Sequence, residues 1–283
     1  MTTQLEKAER FRVLHERERA FLLPNPWDRG TAQLLAQMGF EALATTSAGY
    51  AFSRGLLDGQ VGREAMMRHI EEVAAATDLP LSGDLENGFG HEPEVVAETI
   101  RMAAAHGLVG GSIEDATGNQ SDPVYEIGYA TERVCAAVEA ARSLGFSFTL
   151  CARAENFLYS KRDLKDTIAR LQSYQEAGAD VLYAPGLTTK EEIAAVLGEV
   201  DRPLNVLAGM PGLDASLDEL SAMGVRRLST GSALARAAMG GFLRAAREMA
   251  DAGTFHFVEE ATAASRELVP LLKGFAESGR GGR

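Results

Sequence analysis

This chain is short of aromatic residues, of cysteine and of positive charge, and each shortage narrows what it can be. Aromatics make up 7% of the 283 residues, so the core must be filled mainly by aliphatic side chains, alanine and glycine, as in helices packed tightly around a sheet. Its two cysteines, Cys135 and Cys151, form neither a C-x-x-C pair nor a disulfide framework, which fits a reducing compartment. A formal net charge of −12 argues against nucleic acid or an anionic membrane as partner, because both need a basic face. No apolar run approaches the roughly 20 residues that cross a bilayer. The opening MTTQLEKAERFRVLHERER is charged and helix-like, without the apolar stretch of a signal peptide, so the cytoplasm is the expected location. HExxH and HxxxH spacings, a P-loop and G-x-S-x-G are all missing. No lysine stands at a strand end to form a Schiff base.

What is present is a regular alternation of short apolar runs and longer amphipathic stretches. The runs are Phe21–Leu23, Ala42–Thr45, Pro80–Gly83, Gly110–Ile113, Thr149–Ala152, Val181–Ala184, Leu204–Leu207 and Arg226–Ser229. Between them, helices are predicted over Arg63–Ala76, Glu94–Ala105, Asp163–Ala177, Lys190–Leu197 and Leu217–Met223. A further one carries Ile127, Ala130, Val134, Ala137, Ala141 and Leu144 on one face. Gly107, Gly145, Gly178 and Gly224 stand where helices should stop. Eight strands separated by helices predict a (β/α)₈ barrel, a fold that takes about 250 residues. An open doubly wound sheet is the rival, but no G-x-G-x-x-G follows the first run. The chain therefore reads as one barrel domain over 1–275 with an N-terminal helix, followed by a disordered tail at 276–283.

In such barrels the chemistry sits at the C-terminal ends of the strands. Here those ends deliver Thr46-Ser47-Ala48, then Asp84, Glu86 and Asn87, then Glu114-Asp115, then Arg153 and Glu155. The turn at Asp58-Gly59 adds another acid. Clustered carboxylates repel unless a cation lies among them, and an all-oxygen set favours Mg²⁺ or Mn²⁺ over Zn²⁺. Each residue also has a plainer reading. Asp115 and Glu155 are as well explained as caps or supports, Arg153 as a bridge to Glu114 or Asp84, and Gly88-Phe89-Gly90 as a turn. Cys151, inside a strand, and His91, near a helix start, are weaker candidates still. Convergence of four strand ends on one rim is the stronger signal.

The ordered set LLPNPWDRGTAQLLAQMGFEALATTSAGYAFSRGLLDG, SGDLENGFG, SIEDATG, CARAENFL and GVRRLSTGSAL, spanning about residues 10 to 245, resembles the isocitrate lyase/phosphoenolpyruvate mutase superfamily. The resemblance implies a barrel whose last helix is exchanged between subunits of a homo-oligomer, dimer or tetramer. It also implies Mg²⁺ and an enolpyruvate-like oxyanion formed on a small carboxylate substrate. By position, Asp84 resembles the acid that touches the metal, and Asp58, Glu86 and Glu114 resemble those that hold its water shell. Thr46, Ser47 and Ala48 match the segment that binds the substrate's carboxylate and oxo oxygen, and Arg153 matches the charge-neutralising arginine. Three departures stand out. Glu86 replaces the usual aspartate. The lyases' K-[KR]-C-G-H loop is replaced by ATGNQSDPVYEIGYATER, which has no cysteine, lysine or histidine; the mutase and phosphonopyruvate hydrolase branches carry a lysine- and asparagine-bearing gating loop there, for which Asn119 and Gln120 are partial stand-ins without the lysine. Ala184-Pro185-Gly186 lies where other branches carry a polar substrate anchor, so a small or apolar distal end of the substrate is expected. The leading expectation is C–C cleavage or decarboxylation of a 2-oxo or 2-hydroxy acid. The alternatives are P–C chemistry, as mutase or phosphonopyruvate hydrolase, and a non-catalytic carboxylate-binding barrel.

Overall fold

A computed structural model describes residues 2–159 and 161–277. Its elements run α1 (Gln4–Glu16), β1 (Phe21–Leu23), α2 (Arg29–Gln37), β2 (Leu43–Ala44), α3 (Ser47–Ser53), α4 (Arg63–Ala74) and β3 (Leu81–Asp84). Next come α5 (Pro93–Ala105), β4 (Gly110–Glu114), α6 (Ile127–Arg142), β5 (Thr149–Arg153), α7 (Leu164–Glu176) and β6 (Val181–Tyr183). The chain ends with α8 (Lys190–Leu197), β7 (Leu204–Leu207), α9 (Leu217–Met223), β8 (Arg227–Ser229), α10 (Ala233–Arg247) and α11 (Val258–Glu277). All eight predicted strands are present, within a residue or two of the predicted ends. They form one parallel sheet in the order β1-β8-β7-β6-β5-β4-β3-β2, a nearly closed barrel. The tail expected at 276–283 lies outside the described residues from 278 onward.

Local chemistry explains the helix boundaries. Thr3 with Glu6, Thr189 with Glu192 and Ser216 with Glu219 form reciprocal capping boxes at the starts of α1, α8 and α9. Gly107, Gly178 and Gly224 stop their helices with φ of 103°, 101° and 109°, a left-handed conformation that suits glycine. Gly145 does not adopt it: α6 has already ended at Arg142, capped by Ser143.

Alternation along the strands decides what reaches the barrel axis. Ala152, Leu182, Val206 and Leu228 pack outward with the helices in one apolar cluster. Their neighbours Arg153, Tyr183, Asn205, Arg227 and Ser229 contact one another across the interior. α1 lies under the barrel, where Phe11 and Leu14 are buried with Phe21 and Leu23. Along the C-terminal segment, α11 packs on α2, while Phe242, Phe255, Val258, Leu268, Val269 and Leu272 are exposed. No described helix is long and apolar enough to cross a membrane.

Candidate active site

A cavity of about 1010 Å³ opens at the C-terminal ends of the strands. Its lining includes every residue singled out above for metal, substrate or catalysis: Thr46, Ser47, Ala48, Asp58, Asp84, Glu86, Glu114, Asn119 and Arg153.

Thr46 is the N-cap of α3, its hydroxyl accepting from the Gly49 amide at 3.2 Å. The cap fixes Ser47 as the first helical residue. From there both its amide and its hydroxyl donate to Asp84 Oδ2, at 3.0 and 2.9 Å. Asp84 Oδ1 accepts from Arg153 Nη1 at 2.9 Å. The same guanidinium reaches Glu114 Oε2 at 3.1 Å and Glu155 Oε1 at 2.9 Å, and lies 5.0 Å from the centre of the Tyr183 ring. Glu86 reaches the cavity from a left-handed turn, with φ of 50° at Glu86 and 60° at Phe89. That turn is strained for residues other than glycine. Asn119 lies on the exposed loop after β4, where its Oδ1 accepts from the Ser121 amide at 3.0 Å and its side chain borders the mouth.

One guanidinium thus faces Asp58, Asp84, Glu86, Glu114 and Glu155, and the imbalance shows in their protonation. Burial, then the charge of Asp84 and Asp58, pushes the Glu86 carboxyl up to about 7. Burial raises Asp58 as well, helped by Asp84. Glu114 is driven well above the usual carboxylate range by burial despite Arg153. Glu155 is pushed up to about 7, again by burial first. Glu86 Oε1 is buried with no hydrogen-bond partner. A buried acceptor left unpaired among other acids is what a hydrated cation would relieve.

Among the described residues no three acidic, imidazole or thiol side chains close into a ready-made ligand cage. Mg²⁺ does not require one, because it keeps several waters and takes one or two carboxylates. Asp84 already accepts three hydrogen bonds, and a carboxylate has about four acceptor positions, so one remains. The donor set therefore fits Mg²⁺, which Asp84 would hold together with its acidic neighbours Asp58, Glu86 and Glu114.

Other sequence candidates have structural roles. Asp115 is buried beneath the rim, accepting from Tyr174 Oη at 2.6 Å, Arg170 Nη1 at 2.9 Å and the Glu155 amide at 2.8 Å. Cys151 is fully buried below the cavity and its Sγ accepts from Arg227 Nη2 at 3.0 Å. His91 is exposed and its Nδ1 meets the Tyr125 hydroxyl. Glu155, whose position after β5 also allowed a cap or support, lines the cavity and pairs with Arg153 at 2.9 Å. Tyr183, Asn205 and Arg227 were missed, since inward polar residues within short strands look like ordinary strand positions until the alternation is seen.

The family profile described as phosphoenolpyruvate phosphomutase matches residues 11–250. The solved structure of a Burkholderia cenocepacia J2315 protein, assigned only as a lyase/mutase, is 61% identical with a TM-score of 0.88, covering 90% of this chain and 92% of that one. The 2-methylisocitrate lyase of Halalkalibacterium halodurans is 29% identical over 71% of this chain and 67% of its own length. The structure of an oxaloacetate acetylhydrolase in complex with the product oxalate is 25% identical, with a TM-score of 0.83 and 98% of each chain covered. With a profile match over most of its length, this chain belongs to the phosphoenolpyruvate phosphomutase family of the isocitrate lyase/phosphoenolpyruvate mutase superfamily.

Proposed function

We propose that this chain is a Mg²⁺-dependent enzyme that acts on a small 2-oxo or 2-hydroxy carboxylate, breaking a C–C bond or decarboxylating it through an enolpyruvate-like oxyanion. The observation that carries the reading is the single Arg153 guanidinium shared by Asp84, Glu114 and Glu155, with Glu86 Oε1 buried and unpartnered beside them. When bound, the metal supplies Lewis-acid stabilisation of the oxyanion; Mn²⁺ satisfies the same ligands.

The protein's own groups do the rest. Arg153 neutralises the carboxylate and the charge that develops at the oxo oxygen, as a buried donor already held in place by three carboxylates. Ser47 orients Asp84, so the acid does not have to reorganise when ligand arrives. Thr46 and Ala48 flank the same segment and contact the substrate's carboxylate end. Asn119, on the loop over the mouth, holds the departing group. Decarboxylation needs little beyond this set. The activities named for the two relatives, 2-methylisocitrate lyase and oxaloacetate acetylhydrolase, support small carboxylates as the substrate class.

We place the enzyme in the cytoplasm as a homo-oligomer, dimer or tetramer, built by exchange of the C-terminal helix. The exposed Val258, Leu268, Val269 and Leu272 on α11 support that arrangement.

The test is a screen of 2-oxo and 2-hydroxy acids with Mg²⁺ and with EDTA. Turnover with Mg²⁺ that EDTA abolishes is expected. Equal turnover in both arms removes the metal from the mechanism. Phosphonopyruvate followed by phosphorus NMR is included, and its turnover alone would favour P–C chemistry.

A further inference from the structure

The cavity does not end at the acidic rim. Ser82 and Ser112 also line it, and each stands two residues before a rim acid, Asp84 and Glu114. Two residues along a strand return to the same face roughly 6.6 Å lower. Two serines at those positions, Ser112 beside Asp84 in the ladder and Ser82 below it, let the cavity extend beneath the acids. Arg227, 3% exposed, also lines the cavity. It stands two residues before Ser229, and it touches Cys151, two residues before Arg153, and His15 of α1, so it too lies below the rim.

Every contact of this guanidinium is neutral. Nε donates to Asn205 Oδ1 at 2.8 Å and Nη2 to Cys151 Sγ at 3.0 Å. Nη1 faces His15 Nε2 at 3.4 Å. His15 Nδ1 lies 2.8 Å from the Phe11 carbonyl oxygen, which assigns the ring proton to Nδ1 and leaves Nε2 an acceptor. Burial and Arg227 together hold this imidazole down at about 3, so it stays neutral. A guanidinium has five N–H donors, and these contacts use three, leaving one on each Nη. Among the described residues no carboxylate pairs with Arg227, whereas Arg153 has three. Arginine does not shed its proton, and a buried charge without a counter-ion is costly.

We propose that Arg227, with Ser82 and Ser112, forms a second anion subsite beneath the rim that takes a carboxylate. Its source is either the far carboxylate of a substrate held at the rim or a small monocarboxylate on its own. The first source rests on the proposed rim chemistry; the second does not. A depth of roughly one strand layer suits a four- or five-carbon diacid. The distal end of the substrate is then recognised below the rim, by charge, and the apolar Ala184-Pro185-Gly186 segment has no bearing on it.

Calorimetric titration of the full-length protein tests this. With Mg²⁺ present, oxalate fills the rim only, 2-oxobutyrate adds an apolar end, and 2-oxoglutarate adds a second carboxylate. Acetate and succinate are titrated without metal. Wild type should prefer 2-oxoglutarate to 2-oxobutyrate, and Arg227→Gln should weaken 2-oxoglutarate about 10- to 100-fold while changing oxalate less than about 3-fold. Arg227→Lys should recover part of the loss. Ser112→Val keeps the charge but fills the space beneath the acids, and should weaken the diacid alone. No diacid preference in wild type, or equal loss of oxalate and 2-oxoglutarate in Arg227→Gln, overturns the substrate-borne source. Arg227-dependent binding of acetate alone assigns the subsite to a free carboxylate. Failure of oxalate to bind wild type overturns the rim chemistry instead, and the subsite then stands or falls on whether acetate and succinate binding depends on Arg227.

Discussion

Asp84 and Ser47 are joined by two hydrogen bonds to one carboxylate oxygen, 3.0 Å from the Ser47 amide and 2.9 Å from its hydroxyl, while the other oxygen belongs to Arg153. The acid is therefore fixed in orientation before any ligand arrives. Ser47→Ala keeps the amide bond and loses the hydroxyl. Its Mg²⁺ affinity should fall about 10-fold, as for other orienting partners of metal ligands. Asp84→Ala should lose metal binding and activity together. Calorimetry with Mg²⁺ measures both, and unchanged affinity in Asp84→Ala would remove this residue from the metal site.

Arg153→Ala should lose about 2–4 kcal/mol of transition-state stabilisation in kcat/KM, the range for removing a key charge-stabilising donor. It also strands Asp84, Glu114 and Glu155 without their cation. Breaking such a buried set costs about 3–5 kcal/mol. Urea unfolding in EDTA should register that cost, and Mg²⁺ should recover part of it. A variant as active as wild type would return Arg153 to a purely structural role.

Glu86 makes metal-free stability depend on pH. Burial and its acidic neighbours push its folded carboxyl up to about 7, from about 4.5 for a free glutamate. A carboxyl raised in this way contributes full stability below about 4.5 and loses it as pH rises toward 7, because the unfolded chain ionises first. At 1.36 kcal/mol per unit the loss is about 3 kcal/mol. Unfolding in EDTA should show this decline, with the raised Asp58, Glu114 and Glu155 adding to it, and Glu86→Gln should remove only the share that Glu86 contributes. Saturating Mg²⁺ should also suppress it, since the cation favours the ionised form.

His69 acts in the opposite direction. Its ring stacks on Tyr50 at 3.8 Å, both nitrogens are buried without a partner, and burial lowers its pKa to about 4. A depressed histidine contributes stability above its unfolded value of about 6.5 and loses it as pH falls toward 4. His69→Phe keeps the stack and removes the unpaired nitrogens. It should raise stability at pH 7 by about 1–3 kcal/mol and remove most of the acid-side loss between those two values. A melting temperature unchanged at both pH 7 and pH 5 would show that the nitrogens are satisfied in solution.

The exposed apolar residues of α11 bear on assembly. Leu268→Glu and Val269→Glu should shift the protein toward monomer in sedimentation velocity. An unchanged oligomer would place the contact elsewhere.

The fold was legible because its signals are local: strand runs bounded by capping boxes and glycine stops need no tertiary knowledge. The rim acids were legible because they follow strands, and their convergence is a property of the barrel. Glu155 was harder, since its sequence position after Arg153 fits a support as well as a rim acid, and only the 2.9 Å contact with Arg153 separates the two. Arg227 was hidden for a different reason. It adjoins Arg226, which is oriented outward to the Glu18 carbonyl, and nothing in the sequence says which of the pair turns inward. Gly145 matched the helix-stop pattern but lies beyond the point where Ser143 had already capped the helix.

The hoop of strands is laced all the way round except between β1 and β2, where no ladder forms among the described residues. A buried side chain does the fastening there. Asn25 Nδ2 donates to the Thr45 carbonyl at 2.8 Å, and its Oδ1 accepts from the Thr230 amide at 3.0 Å, drawing together the segments after β1, β2 and β8. The Ala44 amide adds one bond to the Pro24 carbonyl at 3.1 Å. The join with the fewest backbone bonds thus lies beside Thr46 and Ser47, so the ligand-binding end is held shut by a side chain and a single amide bond where the rest of the hoop has a ladder.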